Sequence, residues 1–127
     1  MKVAKEYAFS ASHFIPNHPG KCANLHGHNY KVRVIVDGPT NPTTGMVIDF
    51  YDIDAYVKPL VDILDHNGNV NDHLDGALST AENIAKWFWL KLGAMVLAVS
   101  PGPLFKQPSL TVRVYETEKC YAEYNGG

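Results

Sequence analysis

Three histidines carry the most chemistry in this 127-residue chain, and two of them, His26 and His28, are separated by a single glycine. Residues two apart in a β-strand point to the same side. The pair therefore shares a face with Tyr30, Val32, Val34 and Val36, while Asn29, Lys31, Arg33 and Asp37 take the other. Two interior imidazoles repel when charged and lack partners when neutral, and a shared metal ion removes both difficulties. His13 ends a second alternation through Val3, Tyr7, Phe9 and Ala11; alone it reads as a hydrogen-bonded core histidine, and beside His26 and His28 as a candidate third donor. Three imidazoles with an open fourth position form the donor set of a catalytic zinc. His18 and His73 lie in polar stretches, where solvent exposure is the expectation.

Cys22 stands four residues before the pair and has three possible roles. As a fourth ligand it would close the site and make the metal structural. As a buried thiol it would be a small hydrophobe. With its pKa lowered by a metal or imidazole it would be a base or nucleophile. Spacing does not choose among them. Asp65-His66 ends a helical pattern, where the dipole disfavours an aspartate. Neighbours inside a helix do not face each other, so a working pair needs the backbone to have left the helix, as Gly68 permits; a turn-forming pair is the alternative. Glu116 falls in step with Val112 and Val114, and a carboxylate on such a face needs a cation or donor-rich ligand; a one-residue slip in register would make it a surface residue instead. A 2-amino-4-oxo-pyrimidine edge, with adjacent N–H groups, would meet it through two parallel hydrogen bonds.

The elements that must position these groups follow from periodicity. Residues 3–14 and 26–36 read as strands, with a loop through Pro16-Asn17-His18-Pro19-Gly20 between them. The Pro/Gly/Asn/Thr-rich residues 37–45 return into Met46-Val47-Ile48-Asp49-Phe50, which reads as a further strand in a hairpin. A helix starts at Asp49 or Asp52 and carries Ile53, Val57, Leu60 and Leu64 on its apolar face. Pro59 implies a kink or a second helical segment there. Ser79-Thr80-Ala81-Glu82 has the form of a capping box, opening a second helix with Ala81, Ile84, Ala85, Phe88 and Leu92 inward and Gly93 as terminator. Residues 100–108 read as a loop, then Leu110, Val112 and Val114 as a strand, with residues 120–124 as its hairpin partner. The result is one α+β domain over residues 1–127, in the order ββααββ: a four-stranded antiparallel sheet with two helices on one face. Its other face and both edges need cover, and oligomerisation supplies it.

Composition narrows the function classes. With 46% hydrophobic and 19% charged residues and a net charge of −2, the chain has no signature of a nucleic-acid or membrane partner. No apolar run is long enough to span a bilayer, and the first residues lack a signal-peptide pattern. Two cysteines do not make a disulfide framework. The expectation is a soluble cytoplasmic domain.

The chain resembles the 6-pyruvoyltetrahydropterin synthase family of the tunnelling-fold (T-fold) superfamily along nearly its whole length. The resemblance rests on Phe9-Ser10-Ala11-Ser12-His13, on Cys22 through Tyr30, and on Gly45-Met46-Val47-Ile48-Asp49-Phe50. Leu64-Asp65-His66, Ser79-Thr80-Ala81-Glu82-Asn83 and Val114-Tyr115-Glu116-Thr117 complete it, in order and at similar spacings. It implies that His13, His26 and His28 hold one Zn2+ per subunit, that Cys22 is the general base, and that Asp65 with His66 forms a proton relay. It further implies that Glu116 anchors a pterin ring, with Thr80 and Glu82 lining the same pocket. Trimers would close their sheets into a barrel and stack in pairs as a homohexamer, with active sites between subunits.

Cys-x-x-x-His-Gly-His is similar to the bacterial 6-carboxytetrahydropterin synthases of queuosine biosynthesis, whereas the animal enzymes have a longer gap. The branch that uses a glutamate after the cysteine is disfavoured by Ala23. The implied activity is a zinc-dependent carbon–carbon lyase converting 7,8-dihydroneopterin triphosphate to 6-carboxytetrahydropterin, acetaldehyde and triphosphate. The alternatives are the pyruvoyl-forming carbon–oxygen lyase and a catalytically silent zinc- or pterin-binding module. Residues 100–108 and the polar turn Asn67-Gly68-Asn69 depart from the core pattern and bear on access to the site.

Overall fold

The computed structural model describes residues 1–102 and 105–127. Part of the expected 100–108 loop, residues 103 and 104, lies outside the described residues. Strands β1 (Lys2–His13) and β2 (His26–Asp37) pair antiparallel along their full lengths, from Lys2 opposite Asp37 to His13 opposite His26. β3 (Ser109–Thr117) pairs with the other edge of β2, and β4 (Cys120–Tyr124) with β3, giving the sheet order β1-β2-β3-β4. The alternation of the sequence is the alternation of burial. Val32, Val34 and Val36 of β2 and Val112 and Val114 of β3 are fully enclosed, each such side chain removed from water adding roughly 1.5–3 kcal/mol.

Three helices cover that face: α1 (Phe50–Leu64), α2 (Ala81–Lys91) and the short α3 (Gly93–Ala98). α1 presents Ile53, Val57, Val61 and Leu64 to the core, and α2 presents Ile84, Ala85, Trp87 and Phe88. Asp54 ties α1 to β1, with its Oδ1 2.6 Å from Lys5 Nζ and accepting from the Tyr7 hydroxyl at 2.5 Å.

Four local expectations change. Residues 46–49 form no strand: β2 already has β1 on one edge and β3 on the other, so the hairpin has no edge to pair with. Val47 and Ile48 still pack into the core, and Asp49 becomes the N-cap of α1, accepting from Tyr51 N–H at 2.9 Å. α1 runs through the exposed Pro59 as one helix. The cap of α2 is Thr80, not Ser79, because it is the Thr80 hydroxyl that accepts from Asn83 N–H, at 3.2 Å. Ser79 is instead buried, its hydroxyl 3.2 Å from the Phe14 carbonyl and 3.1 Å from Asn71 Oδ1. Gly93 does not end the helical region but opens α3, whose Met95 fills the core.

Candidate metal centre and adjoining cleft

The β1–β2 register builds the histidine cluster. His13 lies directly opposite His26, and His28 lies opposite Ala11, one diagonal step from His13. Directly opposite residues on one face have Cβ atoms about 5 Å apart, and diagonal ones come within reach of long side chains. The three ring centroids stand 4.5, 5.0 and 4.9 Å from one another, and one donor nitrogen from each ring lies within 4.8 Å of the others.

The hydrogen bonds orient two of the rings. His13 Nδ1 is 2.7 Å from the Ser79 carbonyl and His26 Nδ1 is 2.7 Å from the Asn24 carbonyl. A carbonyl only accepts, so each Nδ1 carries a proton, and in the neutral ring Nε2 is the nitrogen with the free lone pair. This is the second-layer arrangement that fixes a ligating imidazole. His13 Nε2 and His28 Nε2 are buried with no hydrogen-bond partner among the described residues, a costly state in a metal-free site and the expected one in a site built for a cation. Burial pushes the pKa of both His13 and His28 down, only partly offset by the Ser79 carbonyl at His13 and by the negative charge of Glu116 at both. The residues therefore fit a divalent metal held by neutral imidazoles.

Cys22 is not part of that donor group among the described residues. It sits half-buried in a one-turn 3-10 helix, Lys21–Ala23, and lines a neighbouring cleft of about 280 Å3. Thr80, Ala81 and Glu82 at the start of α2 form another wall, and Glu116 on β3 and Cys120, Tyr121 and Ala122 on β4 form the rest, with Ile15 and His18 from the loop after β1. Glu116 joins the cleft to the metal centre, since its charge acts on His13, His28 and Tyr30. The bulge between Tyr115 and Thr117 lies at this point. Tyr115 there packs with Lys31 and Tyr121 on the opposite face. Tyr30 closes the floor beside the metal centre, 1% exposed and 5.3 Å from His28 between ring centroids. Its buried hydroxyl has no partner, and burial raises its pKa beyond the usual tyrosine range.

Asp65 and His66 form a hydrogen-bonded pair elsewhere. α1 ends at Leu64, Asp65 is already extended, and His66 adopts a left-handed φ of 52°. This lets adjacent side chains meet, with His66 Nδ1 2.7 Å from Asp65 Oδ1. Asp65 also accepts from Ser10 N–H at 2.9 Å, and His66 N–H donates to the Ser10 carbonyl at 2.8 Å. The Ser10 N–H, reinforced by His66, holds the Asp65 carboxyl below the ordinary carboxylate range. The pair thus clasps the outer edge of β1 and does not line the cleft holding Cys22, Thr80, Glu82 and Glu116. His18 is exposed as expected, yet it lines that cleft. Sequence reasoning missed it because only the fold of the 14–22 loop turns it inward, through Ile15 N–H donating to the Cys22 carbonyl.

The model of the family described as 6-pyruvoyl tetrahydropterin synthase matches residues 2–127. A 6-carboxy-5,6,7,8-tetrahydropterin synthase from Synechocystis sp. is 43% identical over 95 residues, covering 71% of this chain and 73% of its own. The human 6-pyruvoyl tetrahydrobiopterin synthase is 37% identical over 140 aligned positions, covering 98% of this chain and 91% of its own. Among solved structures, Caenorhabditis elegans 6-pyruvoyl tetrahydropterin synthase superposes with a TM-score of 0.79 at 28% identity, over 100% of this chain and 96% of that one.

Proposed function

The chain belongs to the 6-pyruvoyl tetrahydropterin synthase family, and from that premise we propose that it is a zinc-dependent 6-carboxy-5,6,7,8-tetrahydropterin synthase. The observation that carries the proposal is Glu116, which lines the cleft and acts on the histidine cluster, so that one ligand can meet a carboxylate and a metal together. The substrate is 7,8-dihydroneopterin triphosphate, and the products are 6-carboxytetrahydropterin, acetaldehyde and triphosphate. The 43% identity to the Synechocystis enzyme and the three-residue gap between Cys22 and His26 support this outcome. The breadth of the match to the human enzyme favours a second reading, the pyruvoyl-forming elimination of triphosphate on the same residues.

His13, His26 and His28 would hold one Zn2+ per subunit, which would supply Lewis-acid polarisation of the substrate's side-chain oxygens. Glu116 accepts the adjacent N–H groups of the pterin's pyrimidine edge and fixes the ring. Thr80 and Glu82 shape the wall against which the ring lies. Cys22, in the cleft and outside the donor cluster, takes the proton from the substrate side chain as general base. Asp65 holds the His66 ring by its Nδ1, leaving Nε2 to pass a proton.

The relay reaches the cleft from a neighbouring copy. Sheet order β1-β2-β3-β4 leaves β1 and β4 as open edges. Asp65 and His66 ride on the outer edge of β1, and Cys120 to Ala122 of β4 border the cleft. Edge-to-edge association into a trimeric barrel sets the relay of one subunit beside the cleft of the next and leaves no strand unpaired. Two such trimers stack as a homohexamer. The exposed apolar residues Phe50, Tyr51, Leu90 and Leu97 supply surface for such contacts. Two free cysteines suit a reducing cytoplasm.

The test is incubation with 7,8-dihydroneopterin triphosphate and mass analysis of the product. 6-Carboxytetrahydropterin with acetaldehyde is expected. 6-Pyruvoyltetrahydropterin alone would favour the second reading, and no product from zinc-loaded protein would refute both.

A further inference from the structure

We infer that His18 is the contact for the substrate's triphosphate, a role that rests on the pterin-triphosphate reading above and assigns a residue to the end of the substrate which that reading leaves unheld.

His18 lies in the turn after β1 and lines the same cleft as Cys22 and Glu116. Its Nδ1 accepts the Gly20 N–H at 2.9 Å. An acceptor nitrogen is unprotonated, so the neutral ring carries its proton on Nε2 and offers a donor there. The turn is built for this ring position. His18 N–H donates to the Ile15 carbonyl at 3.3 Å, and a Cβ on Gly20 would come within 3.3 Å of His18 Cε1. With a larger residue at position 20 the His18 ring would have to give slightly.

Cleft size places the phosphates at this end. About 280 Å3 lies at the lower limit of ligand clefts, which run roughly 300–1,000 Å3. That space takes a bicyclic ring and its side chain, and it leaves a triphosphate at the mouth. Glu116 is half-buried and its charge reaches His13 and His28, so it marks the inner end where the N–H-rich ring docks. In the single chain His18 is exposed and marks the outer end. A phosphate oxygen accepts strongly, and a pre-oriented N–H is a donor it meets without displacing a protein bond.

The experiment compares binding of neopterin triphosphate and of phosphate-free neopterin to zinc-loaded wild type, His18→Ala and His18→Gln by calorimetry, with KM and kcat for the substrate alongside. His18→Ala is expected to weaken neopterin triphosphate about tenfold, the lower end for a hydrogen bond to a charged acceptor. KM should rise in proportion, kcat should move far less, and neopterin affinity should hold. His18→Gln, which restores an N–H donor at similar reach, should recover part of the loss. Equal weakening of both ligands, or no weakening of either, in an enzyme whose wild type turns over would overturn the His18 assignment alone. A wild type that binds neither ligand would overturn the pterin reading and this inference with it.

Discussion

Replacing His28 by leucine should lower stability in zinc and raise it in chelator. Among the described residues His28 Nε2 is buried without a partner, and unlike His13 and His26 the ring has no Nδ1 bond to a carbonyl. Without metal, the orphaned nitrogen costs about 1 kcal/mol, the low end for a buried unsatisfied group because the residue is only half-buried. Leucine has a similar volume and no polar atom, so the metal-free variant should gain about that amount. With free zinc at about a hundred times its dissociation constant, binding stabilises the native protein by about 2.7 kcal/mol. Two imidazoles hold zinc far more weakly than three, so the variant loses most of this and nets a loss of roughly 1.5 kcal/mol. For a domain of this length, 1 kcal/mol moves Tm by about 4 °C. Calorimetric scans of both proteins should show the variant about 4 °C higher in EDTA and about 6 °C lower in zinc. The same sign of shift in both media would refute the reasoning, because a packing residue does not know whether metal is present.

Three further outcomes follow from the same geometry. Cys22→Ala should retain stoichiometric zinc by atomic emission and lose product formation by at least about a hundredfold; loss of the zinc would return Cys22 to the ligand set. The metal-free protein should lose stability as pH falls below about 6.5, the ordinary value for histidine. Burial lowers the folded-state pKa of His13 and His28, so the unfolded chain binds protons first. The loss should run from 6.5 down to those depressed values and level off beneath them, and denaturant titrations should find it shallower in His28→Leu. Asp49→Ala removes the N-cap of α1 and should cost about 1 kcal/mol in the same titrations with zinc content unaltered.

What was legible in the sequence was whatever depends on period and face. Two-residue alternation placed β1, β2 and β3 and put His13, His26, His28 and Glu116 on the helix-covered side. Apolar spacing placed α1 and α2. What was not legible depends on which edges are free and how loops close. Met46-Val47-Ile48 has the composition of a strand, buries Ile48 and packs the half-buried Val47 against the core, but β2 has no open edge to receive it. Ser79 and Thr80 both suit a cap, and the choice falls to Thr80 because Ser79 is drawn inward to Phe14 and Asn71. Cys22 and His18 share a cleft only because the loop that carries them folds back at Ile15, a contact with no periodic trace in the sequence.

The histidine cluster and the core are set by one register. The β1–β2 ladder pairs every residue from Lys2 opposite Asp37 to His13 opposite His26 without a break. Val32, Val34 and Val36 fix that register, because a one-residue slip would turn the whole buried row of β2 to solvent. The same slip would send His26 and His28 to the far side of the sheet from His13. No interaction among the histidines is needed to bring them together, and their mutual repulsion when charged works against it. The packing energy of a valine row several residues away holds one donor nitrogen from each of three imidazoles within 4.8 Å, with Nε2 of His13 and His28 unpartnered among the described residues. A ligand cluster held from a distance in this way survives the loss of any one ligand as a fold while failing as a site. That is why the His28→Leu comparison can separate the two.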